Sequence, residues 1–579
     1  MPRNNYWTQR YSRRQALYGA GAATTAFAAA SLVGCGGDDA SSDSSTPTTP
    51  AGSTAAPTVA QTIKRGGEAI LPYTPLGAQT MDPHVSLNKA FIYWGLITDR
   101  FINPHPTTVS PLEGALVEKW EQPDAQTIIM TPRANAKWHE GKITNGRAFT
   151  ADDLAYNIMR IAGKYDTQRA ALFQRATLLR GLDKVEVIDS TKAKITLATP
   201  NAAFLYGLAD FRQYAVAKEQ VDKDPDFQKV SEFAGTGAYV IQSYDDSTSA
   251  GTYAANKNYW RQGQPYLDKI KQVGIADTAA GAAAFVGKQI PLAAINSNTE
   301  PIIKAGRQDY KKVSWEYVGW DYFRLNQTRG QFTDARVRKA IHLAIDRAEL
   351  GDAGYGEGNW DYTGPLPSGL PGTWNATDLR KKAGYSPDTK KADIAEANKL
   401  LDAAGFPKGK GVSFTMIPFP NAGKLHDDVI RIKDQLAKAF PDMKAEIKEA
   451  TDAADHAKKL GTGDYDAINY VSFPAPDAGL EANQHYGKTG GRNYTKYDNP
   501  EVEALIQKTF SELDTKARVA IIDQIQAKLY DDIFILTTNK NRPLYAVDNK
   551  FKGFDDPVHG PGSASGYDLT DLARLWWNA

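Results

Sequence analysis

Apolar residues recur at helical spacing in five stretches of the chain. Thr150-Ala151-Asp152-Asp153 precedes Leu154, Ile158 and Ile161, an N-cap with an acid at the third helical position followed by an apolar stripe. Asp334 is placed to cap a helix carrying Val337, Ile341, Ala344, Ile345 and Ala348 on one face. Ile394, Ala397 and Leu401, stopped by Gly405, predict a third helix. Asn499-Pro500 starts a fourth with Val502, Leu505 and Ile506 inward. Thr515 starts a fifth with Val519, Ile522, Ile525 and Leu529. Between them lie short β-branched runs. Thr127-Ile128-Ile129-Met130 predicts a strand, and Val185–Val187 with Lys194–Leu197 predicts a hairpin about Asp189-Ser190-Thr191. Trp315 to Leu325 reads as one long extended segment. No repeat of 20–50 residues shows, and there is no strict βαβ rhythm. The pattern implies an α/β protein in more than one lobe.

The first residues follow another logic. Arg3, Arg10, Arg13 and Arg14 occur without an acid, and a weakly apolar run from Leu17 to Val33 ends at Leu32-Val33-Gly34-Cys35. Residues 1–34 read as an export signal and are set aside from fold reasoning. Ser12-Arg13-Arg14-Gln15-Ala16-Leu17 resembles a twin-arginine signal, with Ala16 where Phe is usual, so the general secretory route stays as the alternative. Leu-Val-Gly-Cys resembles a bacterial lipobox, which makes Cys35, the chain's one cysteine, the expected lipidated residue and membrane anchor. Residues 36–62 are rich in Ser, Thr, Pro, Gly and Ala and cannot bury a core. Residues 35–62 are therefore the lipidated Cys and a disordered tether, on the order of 29 Å in root-mean-square reach.

Length and charge narrow the rest. The 579 residues suggest two to four domains. With 68 Lys+Arg against 67 Asp+Glu there is no electrostatic case for a nucleic-acid partner. Residues 35–579 carry 64 basic and 67 acidic groups, since the signal removes four Arg and no acid. One cysteine excludes an intrachain disulfide framework, and no stretch of eighteen strongly apolar residues marks a polytopic chain.

Motifs for catalysis are missing. Gly487-Lys488-Thr489 ends like a phosphate loop, but Ala482 stands where its first Gly belongs. There is no G-x-S-x-G or G-x-G-x-x-G, and no two of the eight histidines lie within five residues. Asp152-Asp153, Asp427-Asp428 and Asp531-Asp532 fit helix capping and solvation. No enzyme activity, metal or cofactor is expected. Trp120, Trp138, Trp260 and Phe149 read as core anchors, and Gly235 and Gly237 as tight-turn glycines.

A resemblance runs from about Ile63 to Phe554. Thr80-Met81-Asp82-Pro83-His84, Leu116–Glu121, Trp138-His139-Glu140-Gly141 and Phe149–Asp153 follow one another in order. Gly235-Thr236-Gly237-Ala238-Tyr239, Asn258-Tyr259-Trp260, Phe323–Gln327 with Phe332–Arg338, Ala403–Phe406 and Tyr497–Glu501 complete the series. Together they resemble the family 5 extracellular solute-binding proteins, the oligopeptide-, dipeptide- and nickel-type receptors of ABC importers.

The resemblance implies a two-lobed periplasmic-binding-protein fold with an extra subdomain and a ligand cleft between lobes joined by two crossing segments. Lobe I is expected at 63–89, 201–315 and 541–579, its inserted subdomain at 90–200 and lobe II at 316–540. The implied function is capture of a peptide or other small organic solute by lobe closure and delivery to the permease subunits. The expected protein is an exported, lipid-anchored monomer of the cell envelope. A repurposed signalling or chaperone-like lipoprotein and a surface hydrolase are the alternatives.

By the same resemblance the ligand residues are Asn88 and Lys89, Tyr317 and Trp320, Asn469, Ser472 and Phe473, Asp477 and Asn539. The positions that anchor a peptide's ammonium and carboxylate in peptide receptors fall on Ala475 and Asn469, with Asp477 the candidate replacement acid. Burying both charges without partners costs several kcal/mol each. A sugar-like or aromatic solute stacked on Trp320 and Tyr317 therefore fits as well as a peptide.

Overall fold

The structure, a computed structural model, describes residues 63–578 apart from 74–80, 86–90, 106–108, 174, 246–247, 249, 276, 315–317, 421–422, 473, 495 and 555–571. The signal, Cys35 and the tether lie outside the described residues, as do Asn88, Lys89, Tyr317 and Phe473.

Four larger sheets organise the body from Ile63 onward. One joins Glu68–Tyr73, Lys269–Gly274, Ala250–Ala255 and Tyr239–Asp245, its first two strands parallel. Trp577 at the far end of the chain donates its indole N–H to the Glu68 carbonyl at 2.9 Å, across 509 positions. A three-stranded antiparallel sheet joins Leu292–Ala294, Leu544–Asp548 and Tyr310–Ser314. A third, antiparallel, joins Val117–Asp124, Thr127–Pro132, Lys192–Leu197 and Leu182–Asp189. The fourth has the order Lys444–Ile447, Ser413–Ile417, Ala467–Ser472, Trp320–Leu325, Ile535–Thr537. Its strand Trp320–Leu325 is buried at every position, as a central strand covered on both faces must be.

Local chemistry sets most element ends. Thr150 and Asp153 close a capping box at the start of the helix Ala151–Ile161, whose Leu154, Ile158 and Ile161 are buried. Val185 pairs with Ile195 in the expected hairpin, and Asp189 accepts the Thr191 amide at 2.8 Å in its turn. Gly405, at φ +87°, lies just past the helix Lys390–Ala403. The expected helices from Pro500 and Thr515 span Pro500–Ser511 and Thr515–Asp532. Trp138, Phe149 and Trp260 enter one core with Trp120 packed against it.

One reading is corrected. The helix after Asp334 ends at Ala344, because Ile345 turns extended and Asp346 caps a second helix, Arg347–Tyr355, by accepting the Ala348 and Glu349 amides. The apolar stripe runs on across a break it cannot reveal. Of the extended segment expected over Trp315 to Leu325, Trp320–Leu325 is regular strand and 315–317 lie outside the described residues. Gly235 and Gly237 also allow close packing: a Cβ on either would overlap the backbone of Ile97.

Candidate functional site

The strand Trp320–Leu325 runs antiparallel to Ala467–Ser472, with Trp320 opposite Ser472 and Tyr322 opposite Tyr470. Directly opposed residues share a sheet face. These four side chains therefore line one face at the end of the strand pair. Trp320 lies 5.2 Å from the Tyr322 ring and 5.2 Å from His485, edge-on to the latter. Tyr322 lies 6.2 Å from Tyr470, which stacks on His456 at 5.9 Å. His485 sits on the helix Ala478–Tyr486, and its Nδ1 accepts from Arg324 at 2.9 Å. Its Nε2 faces Glu481 Oε1 at 3.1 Å. Burial, against the pull of Glu481, holds the imidazole down to about 4, so it is neutral at pH 7. Arg492 donates to the Ser472 hydroxyl and brings a guanidinium to the same face.

A second group of residues meets this face. Gln484 donates to Thr177 Oγ1 at 2.6 Å, Arg180 to Gln507 at 2.9 Å, and the Ala202 amide to the Phe510 carbonyl at 2.7 Å. Leu178 and Ala203 share a core with Trp320 and Ala475. The segment 175–212 thus sits against 472–510. It brings in Arg175 and Arg212, both buried, whose guanidinium carbons lie 5.2 and 4.8 Å from the Phe211 ring. Asp210 supports both, through Arg175 Nη2 at 3.5 Å and the Arg212 amide at 3.2 Å. Burial, then the positive charges of Arg175 and Arg492, push the Arg212 guanidinium well below its usual range. Among the described residues no group of three His, Cys, Asp or Glu side chains could hold a metal ion.

Of the residues expected at the site, Trp320 and Ser472 come together here. Asn469 points to the other face, where its side chain accepts the Phe419 amide at 2.7 Å and donates to the Leu425 carbonyl. Asp477 caps the helix Ala478–Tyr486 through the Leu480 amide at 2.8 Å and binds Arg518 with both oxygens, at 2.5 and 2.7 Å. Its carboxylate is committed to the fold. Asn539 donates to the Arg347 carbonyl at 2.9 Å. Sequence reasoning missed Tyr470, Arg492, Arg175 and Arg212. One signal was present: Asp210 and Arg212 interrupt the apolar run from Leu208 to Val216, which marks charges destined for burial.

Comparisons with known proteins agree with this architecture. The description "Bacterial extracellular solute-binding proteins, family 5 Middle" matches residues 111–493, about two thirds of the chain. The heme-binding protein A of Haemophilus influenzae is 24% identical over 445 residues, 72% of this chain and 77% of that protein. A dipeptide-binding protein of Pseudomonas aeruginosa is 24% identical over 464 residues, 76% of this chain and 83% of that one. The periplasmic binding protein DppA of Helicobacter pylori, solved with the peptide STSA, superposes with a TM-score of 0.73 at 19% identity, covering 89% of this chain and 99% of that chain. The shared fold is the two-lobed α/β fold of periplasmic binding proteins. With the family match covering most of the chain and the fold shared over nearly all of its body, the protein belongs to the bacterial extracellular solute-binding proteins, family 5, the exported solute receptors of ABC importers.

Proposed function

We propose that this receptor binds a peptide or other small organic solute between lobe I, at 63–89, 201–315 and 541–579 with the subdomain 90–200, and lobe II, at 316–540. The observation that carries the reading is the convergence of Trp320, Tyr322, Tyr470, Ser472 and Arg492 on one sheet face, met by Arg175 and Arg212 from the segment 175–212. Aromatic walls with a few placed polar groups are what a small-solute site requires. Closure over the solute expels water and presents the loaded form to the permease. The protein acts as a monomer, anchored through lipidated Cys35 and a tether that lets the body reorient above the membrane.

The test is a thermal-shift screen of peptides, sugars and aromatic acids on the purified receptor. A solute at one hundred times its dissociation constant adds about 2.7 kcal/mol of stability. A hit returned chemically unchanged after long incubation supports a receptor, whereas a hydrolysis product supports the surface-hydrolase reading. Affinity should fall in Trp320→Phe, a change that keeps an aromatic filler in a fully buried position. An unchanged affinity removes Trp320 from the site.

A further inference from the structure

We propose that the site selects its solute through an oxyanion, a carboxylate or a phosphate, held by Arg175, Arg212 and Arg492, with the body of the solute against Tyr322 and Tyr470. This rests on the receptor reading and names the chemistry of the same site.

None of the three arginines is among the residues to which the family resemblance pointed. Arg175 and Arg212 both lie against the Phe211 ring. Arg492 is fixed by the Ser472 hydroxyl. The groups are close enough to act on one another: Arg175 and Arg212 both feel the Arg492 charge, and Arg212 also feels that of Arg175. Two carboxylates belong to this neighbourhood among the described residues. Asp210 supports Arg175 and the Arg212 backbone, while Glu481 accepts the Ala475 amide at 3.0 Å and faces His485. Arg324, bonded to His485 and on the same sheet face as Trp320 and Tyr322, adds a fourth guanidinium. An arriving oxyanion meets guanidinium forks that match the geometry of carboxylate and phosphate.

Two further donors stand ready. The Tyr322 hydroxyl and the Trp320 indole N–H are buried and make no hydrogen bond among the described residues. Both lie on the face that carries Tyr470 and Ser472. A buried donor without a partner favours a ligand that supplies an acceptor. For an ammonium the chemistry is the reverse. Asp477, the acid placed to meet one, is held by Arg518 and by the helix it caps.

The experiment pairs each acid with its neutral counterpart. Phenylacetate is set against phenylacetamide, N-acetylphenylalanine against its amide, the dipeptide Ala-Phe against Ala-Phe amide, and glycerol 3-phosphate against glycerol, by thermal shift and calorimetry on the intact receptor. In every pair that binds, the anion should bind at least tenfold tighter, and the carboxylate and phosphate arms show which oxyanion is preferred. Arg492→Gln should lose at least tenfold in affinity and Arg492→Lys should recover part of it, with both variants melting cooperatively. Equal affinity within the pairs, or Arg492→Gln binding like wild type, overturns the proposal and leaves the receptor reading intact. If no pair binds, mass spectrometry of solutes co-purifying from the native host decides. An anionic solute supports the proposal, and a neutral or cationic one overturns it. The absence of any solute together with a silent panel overturns the receptor reading itself.

Discussion

Replacing Asp477 separates a structural acid from a ligand-binding one. Both carboxylate oxygens contact Arg518, and one also caps the helix Ala478–Tyr486. The carboxylate and guanidinium are nearly sealed from solvent, at 5% and 12% side-chain exposure. Breaking such a pair from one side costs about 3–5 kcal/mol, because the surviving charge stays buried without compensation. Loss of the N-cap adds about 1 kcal/mol. Asp477→Ala should therefore destabilise by about 4–6 kcal/mol. Asp477→Asn, which keeps the cap, should cost about 1 kcal/mol less. For a lobe of roughly 200 residues each kcal/mol moves the melting temperature by about 2–4 °C, so a loss of 4 kcal/mol appears as about 8–16 °C. Circular dichroism melts give the stability, and calorimetry with any solute found in the screen gives the affinity. Asp477→Ala should show a large drop in melting temperature, and Asp477→Asn an affinity within about threefold of wild type. If Asp477→Ala melts like wild type while affinity falls tenfold or more, the acid belongs to the solute and not to the fold.

Gly235→Ala should abolish soluble expression or cost about 3 kcal/mol or more, since its methyl group overlaps the Ile97 carbonyl oxygen; soluble yield and urea unfolding check this. Burial, with Asp321 adding to it and Lys424 opposing it, raises the Asp428 carboxyl to about 6, so its contribution to stability is present below the unfolded value near 3.8 and lost as pH rises through about 6. Some 2 pH units correspond to about 3 kcal/mol, and Asp428→Asn should flatten the stability profile between pH 4 and 6 by an amount of that order, read from urea unfolding at stepped pH. Cys35→Ala should release the protein from the membrane fraction of a bacterial host. Changing both Arg13 and Arg14 to Lys should block export if the twin-arginine route carries the protein, and normal export of that variant assigns it to the general secretory route.

Where a side chain's role is settled within a few residues, the sequence was readable. Thr150 with Asp153, and Asn499 before Pro500, announce their helices because each cap bonds amides two or three positions on. The break at Ile345 was hidden because Ala344, Ile345 and Ala348 keep the helical spacing through it, and the Asp346 cap changes the direction of the chain without disturbing that spacing. Trp320 and Ser472 could be found through motif order. Arg175 and Arg492, more than three hundred positions apart, could not, because neither lies on a periodic face and only the packing of segment 175–212 on 472–510 brings them together. Asp477 illustrates the converse. Its place in the motif suggested a ligand acid, but Arg518, which claims it, lies 41 positions away on another helix.

The bond from Trp577 to Glu68 has a consequence for how the chain is made. The strand Glu68–Tyr73 finds its neighbour Lys269–Gly274 some two hundred residues later, and the indole that seals its first carbonyl arrives only with the last residues. At about 5–20 residues per second, synthesis of the intervening roughly 500 residues takes about 25–100 s. Throughout that time the Glu68 carbonyl lacks its Trp577 donor, although the ladder with Lys269–Gly274 can already form. Both the pairing with Lys269–Gly274 and the bond to Trp577 are long-range closures, which are slow to form. Shortening the chain by even its last few residues should show first as aggregation during expression, before any loss of stability in the protein that does fold.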